Sequence, residues 1–252
     1  MSREFHRKLK LAVDIVDGVS AEHDLLVCVS GGKDSVALAG VVSIVADRTG
    51  RDFDAAHMST PLNPPGTEET AIETCSKTGL SLDVREPEKD VWELLREIPS
   101  ELSVLDGKGS EMLGLAIASG NMLHAYGKER GIEGVYTGMR AEESKGRRLN
   151  ERFRGSFYHV EHRGWTCNPL RGWTAADVFA TAISLELPIH PHYRLALEKL
   201  GVDPESQRSR VDCIVTNENV TSLGAMAVAR HLYPKLWRQI AEIRPEIESA
   251  GR

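Results

Sequence analysis

Paired cysteines are absent from this 252-residue chain: Cys28, Cys75, Cys167 and Cys213 lie far apart, and no two form the C-x-x-C unit of a zinc ribbon, an iron–sulfur cluster or a redox dithiol. Reduced thiols in a cytoplasmic protein are the simplest account, and no iron–sulfur cluster is expected. No apolar run approaches the length that spans a bilayer, and the charged, amphipathic stretch from Met1 to Asp17 lacks the apolar centre of a signal peptide. A cytoplasmic location with no membrane partner is therefore expected. An excess of positive charge is missing too. The formal net charge of -6 argues against a protein built mainly to hold nucleic-acid backbone and confines such contact to a local basic patch. The rest of the composition, 41% hydrophobic and 27% charged, is that of an ordinary globular chain long enough to bury a sizeable core without staples.

The stretch Leu25-Leu26-Val27-Cys28-Val29-Ser30-Gly31-Gly32-Lys33-Asp34-Ser35 runs an apolar strand into a glycine pair, a lysine and a hydroxyl. Gly31 and Gly32 can take backbone angles that a Cβ would forbid, so successive N–H groups can converge on an anion. Ser35 is expected to cap a helix from about Val36 to Arg48, whose dipole favours negative charge at the same place. Lys33 adds a full positive charge, and Ser30 and Ser35 add hydroxyl donors. The spacing differs from the Walker phosphate loop, which needs four residues between its first glycine and Gly-Lys-Ser/Thr.

Strand and helix patterns then alternate. Glu4 to Asp17 reads as an amphipathic helix, 52–58 as a second strand, 81–84 as a third and 133–137 as a fourth, with a helix capped by Thr67 and further helices over 90–97 and 111–130. This predicts an α/β fold, a doubly wound, mainly parallel sheet with helices on both faces. The second strand ends in Ser59-Thr60-Pro61-Leu62-Asn63-Pro64-Pro65-Gly66, a loop at the carboxyl edge where open sheets bind ligands, so Met58 and Thr60 are candidates for contacting a nucleoside.

Gly138-Met139-Arg140-Ala141-Glu142-Glu143-Ser144-Lys145-Gly146-Arg147-Arg148, continuing to Arg152 and Arg154, leaves the same edge after the fourth strand. Arg140 suits bidentate clamping of a phosphate or sulfate, Arg147 and Arg148 add charge beside it, and Asp34, Glu142 and Glu143 are the candidate ligands for Mg2+. A third stretch, Asn168-Pro169-Leu170-Arg171-Gly172-Trp173-Thr174, leads into a helix capped by Thr174 with Asp177 three residues on. Ile189-His190-Pro191-His192-Tyr193 follows, and packing is the expected role of its histidines. Beyond it, 222–231 and 234–243 read as two helices, so that residues 1–193 form the nucleotide-binding domain and 194–252 a helical C-terminal extension.

Ser-Gly-Gly-Lys-Asp-Ser after a strand resembles the pyrophosphate loop of the ATP pyrophosphatases. Together with Gly-x-Arg-x-Glu-Glu-Ser and Pro-Leu-x-x-Trp-Thr-x-x-Asp-Val ending in Leu-Pro-x-x-Pro-x-Tyr, it is similar to the phosphoadenosine phosphosulfate reductase family over roughly Asp24 to Tyr193. That resemblance implies the adenine-nucleotide α-hydrolase fold and phosphate or sulfate binding by Ser30, Gly31, Gly32, Lys33, Asp34, Ser35 and Arg140, with Gly138, Glu142, Glu143, Arg147 and Arg148 nearby. Two departures matter. The reductases attack sulfur with a cysteine in a Glu-Cys-Gly-Ile-His tail, whereas this chain ends Glu248-Ser249-Ala250-Gly251-Arg252, and the paired cysteines that many carry for a cluster are absent.

Three readings follow. In the first, the chain binds ATP with Mg2+ and an acceptor attacks the α phosphorus, with Lys33 and Arg140 as catalytic cations that neutralise the leaving pyrophosphate. In the second it reduces an adenylyl sulfate with Cys213, whose neighbours Arg208 and Arg210 would favour a thiolate. In the third it is the nucleotide-binding subunit of a nucleic-acid-modifying sulfur-transfer complex, touching nucleic acid through the basic 140–154 loop. A homodimer or a partner subunit is compatible with the apolar C-terminal helices.

Overall fold

The computed structural model describes residues 2–104, 108–109, 112–113, 129–161, 164–211 and 225–249. Two compact units are distinguished: Met1–His57 with Glu68–Val84 and Leu123–Ile189, and Met58–Thr67 with Arg85–Met122 and His190–Arg252.

The first unit is built on six strands: β1 (Leu25–Cys28), β2 (Asp54–Met58), β3 (Ser81–Arg85), β4 (Gly134–Tyr136), β5 (Phe157–Val160) and β6 (Gly164–Cys167). Their order is β3-β2-β1-β4-β6-β5. β1 runs parallel to β2 and β4, and β4 parallel to β6, while β5 closes the edge antiparallel to β6. The expected mainly parallel α/β sheet is therefore present. The order reverses direction between β1 and β4, and at such a switch point the loops at the carboxyl ends diverge and leave a crevice.

Helices of this unit include α1 (Arg3–Ser20), α2 (Lys33–Thr49), most of α3 (Thr67–Thr78), α5 (Lys145–Arg154) and α6 (Ala175–Ser184). α2 is apolar over most of its circumference. Val36, Ala37, Leu38, Ala39, Val41 and Val42 are buried, as a helix between a sheet and other helices requires. Burial of each leucine or valine there contributes about 1.5–3 kcal/mol. α6 opens with the expected capping box, in which Thr174 Oγ1 accepts from Asp177 N (3.2 Å) and Asp177 Oδ2 accepts from Thr174 N (2.8 Å).

Three local expectations are corrected. α2 begins at Lys33 with Gly32 as its N-cap, so Ser35 lies inside the first turn and does not cap the helix. The left-handed Gly31 (φ 74) turns the chain so tightly out of β1 that the helix can start at once. Thr67 is likewise the first helical residue of α3, its hydroxyl donating to the Pro64 carbonyl (2.5 Å). The basic segment after β4 is no open loop, since a 3-10 turn (Ala141–Glu143) and α5 occupy it. The β5–β6 hairpin was not anticipated. The helix expected over 111–130 falls almost entirely outside the described residues.

The second unit holds α4 (Val91–Glu97), α7 (Pro191–Leu200), α8 (Ala225–Leu232) and α9 (Pro234–Ile243). Asp90 caps α4, its Oδ1 accepting from Trp92 N (2.6 Å) and Glu93 N (3.3 Å). Leu62, Leu95, Val104, Ala196, Trp237 and Ile240 share one core. His190 and His192 are buried in this unit, in keeping with a packing role.

Candidate nucleotide site

The site is built where β1 ends. After Cys28 and the buried Val29 the chain turns through Gly31 into Gly32, whose extended backbone (φ -78, ψ 157) hands over to α2. Ser35 ties this loop shut. Its Oγ donates to the Gly32 carbonyl (2.9 Å) and accepts from Ser30 N (3.1 Å) and Ser30 Oγ (3.2 Å). Both serine hydroxyls thus hold the shape of the cradle. Gly31 and Gly32 are buried, and their N–H groups have no acceptor among the described residues. Buried backbone donors are almost always paired, so two that are not, at the positive end of a helix, mark a place for an anion.

Lys33 and Asp34 open the helix. Lys33 is 5% exposed and its Nζ donates to Asp34 Oδ2 (3.0 Å). Asp34 Oδ1 in turn accepts from Arg140 Nε at 2.5 Å. Burial alone would push the Asp34 carboxyl up, but Lys33 and Arg140 outweigh it and hold the group below the ordinary carboxylate range.

β4 delivers the second half. Gly138 lies against the first turn of α2 so closely that a Cβ there would meet the Asp34 carbonyl carbon and oxygen at 2.7 Å. Two residues on, Arg140 is fully buried, where the sequence suggests an open phosphate clamp. Besides Asp34, its Nη1 donates to Glu142 Oε2 (2.5 Å) and to the Trp173 carbonyl (3.3 Å). Its Nη2 has no partner among the described residues. Burial would lower its pKa, but Asp34 and Glu143 raise it, so the guanidinium stays charged.

Glu142 also accepts from Ala175 N (2.9 Å), and Glu143 accepts from Arg140 N (3.0 Å) and from the Arg147 guanidinium. All three carboxylates proposed as Mg2+ ligands are thereby engaged by cations or amides. Among the described residues no group of three or more histidine, cysteine or carboxylate side chains is placed to hold a metal. This donor set does not fit a protein-held Mg2+ cage.

Arg147 stays beside the cluster through Glu143, whereas Arg148 is exposed on α5. Arg140, Arg147, Asn168 and Arg171 line a cavity of about 20 Å3, the room of a single water. Met58 ends β2, its carbonyl accepting from Asn63 Nδ2 (3.3 Å). Thr60 lines a cavity of about 530 Å3 in the second unit, shared with Ser59, Glu86, Lys89 and Trp92. The Trp173 carbonyl was not foreseen as a site group, because a backbone acceptor leaves no signal in residue type. Among the described cysteines burial pushes the Cys28 and Cys167 thiols up to about 12 and the Cys75 thiol to about 11. Cys213 lies outside the described residues.

A family model, the phosphoadenosine phosphosulfate reductase domain, matches residues 24–208. The chain belongs to this family. The match extends past Tyr193, where the sequence resemblance stops, and takes in α7 of the second unit. No curated protein sequence matches the chain. Among solved structures it is similar to phosphoadenylyl-sulfate reductase from Candida auris, with 17% identity, a TM-score of 0.55, and 78% of this chain and 93% of that one covered. It is also similar to NMN synthetase from Francisella tularensis, with 16% identity, a TM-score of 0.53 and 98% and 96% covered. A third likeness is to NH3-dependent NAD synthetase from Campylobacter jejuni, with 15% identity, a TM-score of 0.52 and 98% and 95% covered. At these identities the likeness establishes the fold. Membership of the family makes this a nucleotide-binding chain, and no helix among the described residues is long and apolar enough to cross a membrane.

Proposed function

We propose that this chain binds ATP at the β1–α2 cradle and transfers its AMP moiety to an acceptor. An acceptor oxygen attacks the α phosphorus, the bond from that phosphorus to the bridging oxygen breaks, and the electron pair departs with pyrophosphate while the acceptor's proton passes to solvent. The observation that supports this reading is the pair of buried glycines, Gly31 and Gly32, at the head of α2, whose N–H groups have no acceptor among the described residues, with the lysine of the first helical position beside them.

In this reading those amides and Lys33 hold the pyrophosphate portion, where charge accumulates as the bond breaks. Arg140 acts as a positioning residue through Asp34. Mg2+ would be carried by the polyphosphate oxygens and is given no protein ligand. Thiol attack on an adenylyl sulfate draws no support from the three described cysteines, whose raised pKa values keep them protonated.

Calorimetry with ATP tests the reading. Lys33→Ala removes one charge-assisted contact and is expected to weaken ATP binding roughly 10- to 100-fold with the far-UV spectrum unchanged. Equal affinity in the folded variant would refute the assignment. Transfer of the label from ATP labelled at the α phosphate to candidate acceptors, with release of unlabelled pyrophosphate, then identifies the acceptor.

A further inference from the structure

We infer that the outer face of α5 binds single-stranded nucleic acid. Phe153 is the most exposed large hydrophobic side chain among the described residues, at 79%, and Leu149, one turn earlier, is 55% exposed. A helix that leaves more than half of each of its two large apolar groups exposed presents them to something else. The opposite face is fixed to the protein. Asn150 Nδ2 donates to the Tyr158 hydroxyl (3.0 Å), and the Arg154 guanidinium lies over the Tyr158 ring at 5.4 Å.

The helical repeat sorts the outward residues into two neighbouring strips. Leu149 and Phe153 form one. Lys145, Arg148 and Arg152 form the other, and none of these three makes an ion pair with a described residue. Five cations stand against one acid in the ten residues of α5, within a chain whose formal net charge is -6. The helix is thus a local basic strip on an otherwise acidic protein, and charge complementarity selects a polyanion.

The exposed ring selects among polyanions. A phenyl group projecting from a helix can meet the face of a base only where bases are unstacked, and cations alongside it can track the phosphates of the same strand. A duplex hides its base faces. A lipid surface fits less well, because two apolar side chains on a ten-residue helix offer little area to bury. This binding is separate from ATP cleavage and does not depend on it.

Fluorescence anisotropy with the full chain and a labelled single-stranded oligonucleotide of about 15 nucleotides tests the inference. Neutralising three phosphates predicts affinity that falls roughly 20-fold between about 50 and 200 mM salt. Phe153→Ala is expected to weaken binding about tenfold with the salt slope unchanged. Arg152→Glu should weaken it and flatten the slope. Both side chains are exposed, so thermal unfolding and ATP affinity should match the unsubstituted protein, which separates failure of this proposal from failure of the ATP assignment. Binding of both variants like the parent, equal binding of a duplex of the same length, or preference for anionic phospholipid vesicles over the single strand would each overturn it.

Discussion

Acidification should loosen the second unit through two histidines. His190 and His192 are 1% and 2% exposed, and burial lowers the pKa of each to about 4, with the neighbouring His192 adding to the effect at His190. The hydrogen bonds give His190 one tautomer. His192 N donates to His190 Nδ1 (3.0 Å), so that nitrogen is bare, and Nε2 carries the proton toward Thr67 Oγ1 (3.1 Å), whose own hydrogen goes to Pro64. Protonating Nδ1 destroys the cap of α7. His192 is held by the Tyr233 hydroxyl (2.9 Å) and has no partner at Nε2 among the described residues, so a charge there would find no acceptor among them. With the folded value below the unfolded one, the unfolded chain binds more protons between pH 6.5 and about 4, and stability falls as pH falls through that window. Each imidazole then costs about 2 kcal/mol between pH 7 and pH 5, and the pair about 4 kcal/mol, a large part of a typical folding free energy. Urea unfolding at stepwise pH should show this loss, and His190→Asn, which keeps a capping acceptor without a titrating ring, should roughly halve it. Stability independent of pH between 7 and 5, or imidazole resonances titrating near 6.5, would refute the reasoning.

Two further outcomes concern the charge cluster. Asp34→Asn leaves the fully buried Arg140 facing a neutral amide and should destabilise by about 2–4 kcal/mol in urea unfolding. Because the Asp34 value is lowered, its contribution is present above the ordinary carboxylate range and lost as pH falls through the lowered value, so the variant should unfold less steeply in acid. Gly138→Ala forces a Cβ onto the Asp34 carbonyl and should cost about 1–3 kcal/mol while also weakening ATP binding, since the start of α2 must move; a fully stable variant with full ATP affinity would contradict the close packing.

Much of this architecture is legible in residue pattern. β1, β2 and β4 stand out as short, mainly apolar runs followed within a few residues by glycine or proline, and Thr174 with Asp177 announces α6. α5 escapes that logic because its apolar residues, Leu149 and Phe153, point outward, so no buried stripe recurs with the helical period. The β5–β6 hairpin is signalled only by aromatic and β-branched residues in Phe157–Val160 and Gly164–Cys167, four residues each. The burial of Arg140 is invisible for a different reason. An arginine after a strand reads as solvent-facing charge, and only the return of the chain through β6 brings the Trp173 carbonyl within reach of its guanidinium.

The arrangement around Arg140 bears on how the cradle would work. Lys33, Arg140 and Arg147 are matched by Asp34, Glu142 and Glu143, and such buried pairs fix geometry more than they add stability. Here they bolt the loop after β4 to the first turn of α2 twice, through the Arg140 guanidinium on the Asp34 carboxylate and through Gly138 against the Asp34 backbone. In the ATP-cleaving reading, the N–H groups of Gly31 and Gly32 are therefore oriented before a phosphate arrives, which is the condition under which fixed dipoles stabilise developing charge without reorganising. In that reading, an entering pyrophosphate group draws Lys33 away from Asp34. Asp34 is not orphaned by that exchange, because Arg140 still holds its other oxygen, and the lysine charge becomes available at the phosphate without leaving a buried carboxylate unpaired.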